Sequence, residues 1–312
     1  MWRWATGSAI VAGLILVVPA GAQVRTAYPE KRGLTLGQFP RVIKLADNVY
    51  GYEDIRQPGF TTVSLIVVGR DGVLIADGQG SPDATHKLLD AVAKITPKPI
   101  KWYVVGSDHG DHMAGNSVLP KDVRYIVSRA SKAQLERDAI TPNRQPNSPP
   151  VVVPPAAMSG DSETVAVGGI EVRALSLGRA HTGGDLVVYL PAQKILFMSE
   201  VYLNRVFPAM RSAYPTEWVG VIDKALALDV TRFVPGHGFI EDPVASKEEL
   251  VEFQKALKAV IAEVKRLHAL GLSADEAVKQ AQWGPYKDWF LAEQQAPIAV
   301  RKVYEEIEGK LK

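Results

Sequence analysis

The segment from Ser107 to His112 constrains this chain more than any other part of its sequence. It reads Ser-Asp-His-Gly-Asp-His and directly follows Trp102 to Val105, an apolar run that predicts a short buried strand. Two imidazoles and two carboxylates beside a buried strand need partners, because burying unpaired charge costs too much free energy. Imidazole nitrogen and carboxylate oxygen are ligands that zinc takes. The fold must therefore bring further polar groups to the end of this strand.

Three other segments place a histidine or an acid next to a predicted strand, where functional sites gather. The chain has six histidines, and four of them, His109, His112, His181 and His237, lie in these three segments or in Ser107 to His112. The segments are Gly178 to Asp185 with His181 before the strand Leu186 to Leu190, Glu200 after Ile195 to Met198, and Pro235-Gly236-His237-Gly238 after Arg232 to Val234.

Taken together, the four segments resemble the metallo-β-lactamase superfamily. That family has His-x-His-x-Asp-His, a histidine in Gly-His-Thr-x-Gly-Asp, an acid after Leu-Phe-x-Gly and a histidine in Pro-Gly-His-Gly. The chain has the four segments in this order, between about Val49 and Ile240. The resemblance implies an α/β (α+β) fold, a four-layer αββα sandwich with metal at one edge between two sheets.

The resemblance also implies a role for each residue of the pattern. His109 and His181 would hold one metal ion, and Asp111, His112 and His237 would hold the other, with Glu200 bridging the two. Asp77, in Ile75-Ala76-Asp77-Gly78, matches the family aspartate that orients the ligand loop. Asp111 would also be catalytic, because it can accept a hydrogen bond from the attacking water and pass the proton to the leaving group.

Two positions depart from the family pattern. Ser107 stands where the family has its first histidine, and Glu200 stands where its hydrolases usually carry aspartate. Ser107 is thus a weak ligand or a water-holder, the first metal site is expected to be the weaker one, and the second can work alone. The longer glutamate either reaches a displaced metal or changes the metal spacing. The expected cofactor is one or two Zn²⁺, while iron, manganese or nickel suit the same ligands.

The function that follows is hydrolysis by metal-activated water of a carbonyl-centred bond in a lactam, lactone, ester or thioester. A β-lactam is one candidate, although the acidic Glu200 resembles the general hydrolases of the family more closely. The alternative is a catalytically impaired metal-binding or ligand-binding protein of the same fold. Redox chemistry at a di-iron centre is a third, less favoured reading.

Composition restricts the partners and the stabilising forces. The chain of 312 residues is 46% hydrophobic and has no cysteine. It must therefore be stabilised by its core without disulfides, and thiolate chemistry is excluded. The net charge of +2 gives no phosphate-binding footprint, so we expect a small-molecule substrate and no nucleic-acid partner. The oligomeric state is left open.

Residues 1–22 have the pattern of a cleaved secretory signal peptide. Arg3 gives a basic start, Ala9 to Val18 are apolar, and Ala20-Gly21-Ala22 is a small-x-small cleavage signal before Gln23. We therefore expect a periplasmic or secreted protein without a stable membrane span. The alternative is an uncleaved membrane anchor, but the apolar run is shorter than the ~20 residues that a bilayer requires.

The rest of the chain predicts strands with interspersed helices, divided into a hydrolase domain of residues 23–242 and a helical extension of residues 243–312. The predicted strands also include Val63 to Val68, Val73 to Ala76, Thr164 to Val167 and Ile170 to Ala174. The predicted helices are Ser81 to Ile95, Ser131 to Asp138, Lys247 to Leu270, Ser273 to Gln282 and Lys287 to Lys312. Thr141 to Pro155 is proline-rich and forms either a connector or a mobile loop near the site.

Some polar and aromatic residues near these motifs have two interpretations. Asp108, Thr182 and Asp185 either make structural hydrogen bonds or contact substrate, and the former is favoured. Phe60 belongs either to the core or to a flap over the site. Packing is favoured for the aromatic cluster of Trp283, Tyr286, Trp289 and Phe290. His86 and His268 are expected on the surface.

Overall fold

The computed structural model describes residues 24–56, 58–141 and 148–311. The predicted signal peptide, residues 1–22, and part of the proline-rich loop lie outside these residues. Within the described ranges, no helix has the length and apolar character needed to cross a membrane. The described parts of the loop, Thr141 and residues 148–155, contain neither helix nor strand.

Eleven strands form two mixed sheets in the described chain. The first sheet has the order β1 to β6, with β1 Arg41–Ala46, β2 Val49–Arg56, β3 Phe60–Val68, β4 Val73–Ala76, β5 Ile100–Val104 and β6 Arg124–Ile126. The second has the order β11-β10-β9-β8-β7, with β7 Ser162–Val167, β8 Ile170–Leu175, β9 Val187–Leu190, β10 Ile195–Phe197 and β11 Arg232–Val234. The pairs β4–β5, β5–β6 and β10–β11 are parallel, and the others are antiparallel.

Seven helices accompany the sheets in the described ranges. They are α1 Pro82–Ile95, α2 Gly110–Met113, α3 Arg129–Ala139, α4 Pro215–Leu226, α5 Pro243–Ala269, α6 Ala274–Gln280 and α7 Ala292–Ile307. Short 3₁₀ turns include Ser199–Val201 and Gly284–Asp288. Ser81 and Ser273, with which two of the predicted helices begin, are N-caps: the Ser81 side chain accepts from Ala84 N, and Ser273 forms a capping box with Glu276.

Three hydrophobic cores separate four layers. Because side chains alternate across a strand, β3 sends Val63 and Leu65 into the core between the sheets, and Ile66 into the core beneath α1 and α3. The third core lies between the second sheet and the later helices, where Leu196 of β10 joins Phe253 of α5. This αββα arrangement confirms the predicted fold class.

The C-terminal helices lie directly on the second sheet. Residues of α4, α5 and α7 share one apolar core with Leu196 and Phe233 of that sheet. Trp283, Tyr286, Trp289 and Phe290 belong to this core or pack against it, in agreement with the packing interpretation. The division into a hydrolase domain and a helical extension remains a prediction.

Several element predictions were incomplete or wrong. The last helix was expected from Lys287 but begins at Ala292, because Gly284–Asp288 forms a 3₁₀ turn and Leu291 has a φ of 62°. Strands β1, β2 and β6 and helix α4 were not predicted. In β2, Glu53 and Asp54 are buried charges that interrupt the apolar pattern. His86 is exposed as expected, whereas His268 is half-buried and its ring packs against Tyr304.

Candidate metal centre

The site lies at strand ends, where loops from the two sheets approach closely. Gly106, just beyond β5, has no room for a side chain, because a Cβ would lie 2.6 Å from Ser199 Cβ. Gly236, just beyond β11, is similarly restricted, since a Cβ would lie 2.4 Å from the Ser199 carbonyl carbon. These glycines allow the loops after β5, β10 and β11 to meet. These loops carry His109, Asp111, His112, Glu200 and His237, and the loop between β8 and β9 carries His181.

Four of those residues converge in what we call the Asp111 half-site, namely Asp111, His112, His237 and Glu200. One potential ligand atom from each lies within 4.8 Å of those from the others. His237 Nε2 is 2.9 Å from Asp111 Oδ2 and 3.3 Å from Glu200 Oε1, and the Nε2 atoms of His112 and His237 are 3.2 Å apart. His112 and His237 are buried. Asp111 and His237, which are 126 positions apart in the chain, thus face a common centre.

The remaining histidines form the His109 half-site, which consists of His109, His181 and the shared Glu200. His109 Nδ1 lies 2.8 Å from Glu200 Oε2, and His181 Nε2 lies 3.1 Å from Glu200 Oε1. The two ring nitrogens are 3.1 Å apart. The structure therefore brings together all six residues predicted as metal ligands.

Ser107 is buried at the edge of the His109 half-site. Its hydroxyl donates to Glu200 Oε2 at 2.5 Å and accepts from the backbone N–H of His109 at 3.3 Å. Ser107 therefore contacts the carboxylate that both half-sites share. Whether it acts as a weak ligand or a water-holder remains a prediction.

The two histidines of the Asp111 half-site are oriented by acceptors on their far side. His237 Nδ1 donates to the carbonyl oxygen of Thr61 at 2.8 Å. His112 Nδ1 lies 2.9 Å from Asp77 Oδ2, although its N–H points off the line of a good hydrogen bond. A bare nitrogen lone pair would be repelled by that carboxylate, so the proton belongs on Nδ1. Asp77 is in turn held by the N–H of Gly106 at 2.7 Å and by the Ser199 hydroxyl.

This arrangement fits a cation. With Nδ1 protonated in both His112 and His237, their Nε2 lone pairs face each other across 3.2 Å and cannot bond to each other without a further proton or a metal. Histidine ligands of metals carry such acceptors on the other ring nitrogen. Two imidazoles and two carboxylates are also a ligand set that zinc accepts. The residues present thus match a divalent cation in the Asp111 half-site.

Strong electrostatic coupling accompanies the convergence. Burial opposes charge on every member, but the carboxylates of Asp77, Asp111 and Glu200 raise the pKa of His112 to about 10. Glu200 and its hydrogen bond similarly outweigh burial and raise the pKa of His109 to about 9. The pKa of Glu200 is held well below its usual range, because His181, His109 and His112 overcome the cost of its burial. Burial instead lowers the pKa of His181, so the acidic charge is opposed chiefly by His109 and His112.

Sequence reasoning missed two side chains that touch this centre. Arg56, at the end of β2, donates to Asp111 Oδ2 at 2.6 Å and lies over the ring of Phe60. Ser212, in the loop before α4, has its hydroxyl 3.2 Å from His109 Nε2. Neither residue belongs to a motif, and both reach the site from distant segments, so the linear sequence carried no signal for them.

Phe60 is buried and lies behind the site. Its ring packs edge-on against the His237 ring with the centroids 4.9 Å apart, and against Phe290 with the centroids 5.1 Å apart. Trp218 makes a similar edge contact with His181 at 5.2 Å. Core burial, one of the two interpretations of Phe60, is therefore what the structure shows.

The three polar residues with two interpretations are also buried. Asp185 accepts from the Thr182 N–H at 2.7 Å and from the Thr182 hydroxyl at 2.8 Å, which orders the loop that carries His181. Burial raises the pKa of Asp185 to about 8. Burial likewise raises the pKa of Asp108, beside His109. The hydrogen bonds of Thr182 and Asp185 are structural, as favoured.

An open cleft of about 1140 Å³ adjoins the centre at His109. Its walls include Thr182, Arg211, Ser212 and Tyr214 beside the site, and residues of α3 and α7 further out. A cleft of this size accepts a small organic molecule. His109 thus connects the polar centre to space in which a substrate can bind.

The sequence profile of the metallo-beta-lactamase superfamily matches residues 56–237, which is more than half of the chain. Among solved structures, the metallo-beta-lactamase from Pontibacter korlensis superposes with a TM-score of 0.59 at 22% identity, covering 69% of this chain and 99% of that protein.

Two curated proteins are similar at low identity. The 2,4-dinitroanisole O-demethylase subunit alpha of Nocardioides sp. is 24% identical over 176 residues, covering 56% of this chain and 52% of that protein. The linear primary-alkylsulfatase of Pseudomonas sp. is 24% identical over 263 residues, covering 69% of this chain and 49% of that protein. The chain thus spans about half the length of each.

Proposed function

The chain belongs to the metallo-beta-lactamase superfamily, and on that premise we propose that it is an exported, zinc-dependent hydrolase of small molecules. The single observation that carries the proposal is the convergence of four imidazoles and two carboxylates beside an open cleft. Such a set is hard to explain by packing, since buried charges without a ligand or partner destabilise a fold.

The residues have distinct tasks in this proposal. Asp111, His112 and His237 would hold the cation, with Glu200 beside it and His109 and His181 on the other side of Glu200. A divalent cation supplies hydroxide at neutral pH and polarises a carbonyl oxygen. Asp111, kept in place by Arg56, accepts a hydrogen bond from the attacking water and carries its proton to the leaving group. Asp77 and Thr61 orient the imidazoles.

The substrate class we propose is a lactam, lactone, ester or thioester. The fold alone does not select among them, so the test is a panel of substrates. The names of the two curated relatives add an alkyl sulfate and a dinitroaryl ether to that panel. We expect turnover of at least one carbonyl substrate, its loss on removal of metal by a chelator, and its return on addition of Zn²⁺.

The residue test uses Asp111→Asn, with Asp83→Asn on the exposed first turn of α1 as the matched control. We expect Asp111→Asn to lose at least 100-fold in kcat/KM, which corresponds to about 2.7 kcal/mol of transition-state stabilisation. The control keeps full activity. Unchanged turnover in Asp111→Asn would contradict the assigned role.

A second candidate function is a catalytically impaired metal-binding or ligand-binding protein of this fold. The observation that favours it is the hydrogen bond from Ser107 to Glu200, since Ser107 lies where the family pattern has a histidine ligand. The two candidates differ in turnover, because an impaired binder retains metal while every substrate of the panel remains intact.

Export is proposed from the sequence of residues 1–22 alone. Expression of the full chain in a Gram-negative host, followed by fractionation and mass spectrometry of the mature N-terminus, tests it. We expect periplasmic protein that begins at Gln23. Protein that retains Met1 and remains in the cytoplasm or membrane would contradict the proposal.

A further inference from the structure

The two half-sites differ in how firmly the structure orients their imidazoles. In the Asp111 half-site, His112 faces Asp77 at 2.9 Å and His237 donates to Thr61 O at 2.8 Å. The hydrogen bond to Thr61 O fixes the proton of His237 on Nδ1, and the Asp77 carboxylate favours a proton on Nδ1 of His112, so both Nε2 lone pairs point to the centre. Phe60 packs edge-on against the His237 ring.

Within the described part of the chain, the imidazoles of the His109 half-site have no such acceptors. His181 Nδ1 is buried and has no hydrogen-bond partner among the residues that the structure describes. His109 Nε2 faces the hydroxyl of Ser212, which can donate or accept and so fixes neither tautomer. The orienting contacts that raise the basicity of histidine ligands are thus present in one half-site and lacking in the other.

Glu200, the carboxylate between the half-sites, already has close donors on the His109 side. Ser107 Oγ, His109 Nδ1 and His181 Nε2 lie 2.5, 2.8 and 3.1 Å from its oxygens. The first two are distances of charge-assisted hydrogen bonds, and the third is the distance of an ordinary hydrogen bond. A metal in the His109 half-site would have to replace the protons between these imidazoles and Glu200, and it would be held by two imidazoles without orienting acceptors and by the carboxylate that both half-sites share.

We propose that the protein binds a single cation, in the Asp111 half-site, and that Ser107, His109 and His181 form a hydrogen-bonded cage that positions Glu200 beside it. This inference rests on the metal dependence proposed above. Asp111, His112 and His237 are the three protein ligands, and Glu200 stays with the cage. Three ligands with one open position is the arrangement of catalytic zinc sites. Ser107 is accordingly a positioning residue of a one-metal centre.

The test is metal stoichiometry. Purified full-length protein is incubated with excess Zn²⁺, passed through a desalting column and measured by elemental analysis, with the melting temperature of each variant as the folding control. We expect about one Zn²⁺ per chain for the wild type, His181→Gln and Ser107→Ala, and less than 0.2 for His237→Gln. Two Zn²⁺ per wild-type chain would overturn the proposal, as would loss of the metal in a folded His181→Gln.

Ser107→His supplies the converse test, because it adds the missing imidazole and removes the hydroxyl donor of the cage. We expect the stoichiometry to rise to about two. Substitution with Co²⁺ provides a second readout, since two adjacent ions couple magnetically whereas one does not. One Zn²⁺ per chain without hydrolysis of any substrate would refute the proposed function and support this inference. Two Zn²⁺ per chain with hydrolysis would support the proposed function and refute this inference.

Discussion

Replacing Asp77 by asparagine tests whether the orientation of His112 controls metal binding. Asp77 is fully buried and has a φ of 58°, a conformation that asparagine also tolerates. The substitution therefore keeps the shape and the backbone and changes only the hydrogen-bonding pattern. Its oxygens accept from the Gly106 N–H and from the Ser199 hydroxyl, and one of them faces His112 Nδ1.

Either orientation of the new amide opposes a donor. If the NH₂ group faces His112, the imidazole must move its proton to Nε2, which blocks the lone pair that faces the centre. If the NH₂ group faces Gly106 instead, a buried N–H loses its acceptor, which costs about 1–3 kcal/mol of folding free energy. Mutations of such orienting partners lower metal affinity by roughly 10–100-fold, or about 1.4–2.7 kcal/mol.

The assay is Zn²⁺ affinity by competition with a chromophoric chelator, together with thermal unfolding of the cation-free protein. Asp83→Asn, on the exposed first turn of α1, is the control and is expected to leave affinity unchanged. We expect Asp77→Asn to lose at least tenfold in affinity. An affinity within twofold of the wild type, at unchanged melting temperature, would show that Asp77 does not orient His112.

Three further predictions concern stability and protons. Gly115→Ala should lower the free energy of unfolding by about 1–3 kcal/mol, because a Cβ would lie 1.9 Å from Thr85 Oγ1. Gly220→Ala in α4, where no atom lies within 4 Å of the added Cβ, should instead raise it by about 0.5–1 kcal/mol. Equal melting temperatures of the two variants would contradict both expectations. Because the pKa of Asp185 is raised from 3.8 to about 8, the folded state binds the extra proton between these values and loses stability as pH rises through them. Asp185→Asn should remove that dependence, because its amide oxygen can accept from the Thr182 N–H while its NH₂ group donates to the Thr182 hydroxyl. Identical pH profiles of unfolding for the wild type and this variant would contradict the raised pKa of Asp185. Zn²⁺ binding at pH 7 should release at least one proton from the ligand imidazoles, and affinity should fall as pH falls; calorimetry in buffers of different ionisation enthalpy measures this, and a buffer-independent enthalpy would exclude it.

The sequence predicted elements whose signals are local. Ser81 and Ser273 begin their helices with side-chain caps, and such caps involve residues only three positions apart. Strands with uninterrupted apolar runs were also identified. By contrast, β2 contains Glu53, whose side chain is buried against Arg41 and the N–H of Ile240. Because its partners lie elsewhere in the sequence, the charged residue made this stretch look like an exposed loop.

The residues of the candidate site also fall into those that the sequence predicted and those that it did not. Its motif residues were found because each lies beside a strand and the pattern resembles a family. The contacts of Arg56 with Asp111 and of Ser212 with His109 depend on where loops from different sheets meet. Hydrogen-bond partners of this kind follow from tertiary packing, and periodicity and spacing carry no information on them.

The packing of Phe290 against Phe60, and of Phe60 against His237, has a consequence for the order of folding and metal uptake. The backbone of Phe290 also makes hydrogen bonds with the backbones of Arg205 and Phe207. The segment just before α7 therefore supports Phe60, which packs against the ring of His237. A partly folded chain in which this segment has not yet docked would have every proposed ligand in place and yet lack this support. We therefore expect folding intermediates with this segment undocked to capture Zn²⁺ poorly, and firm metal uptake to follow its docking.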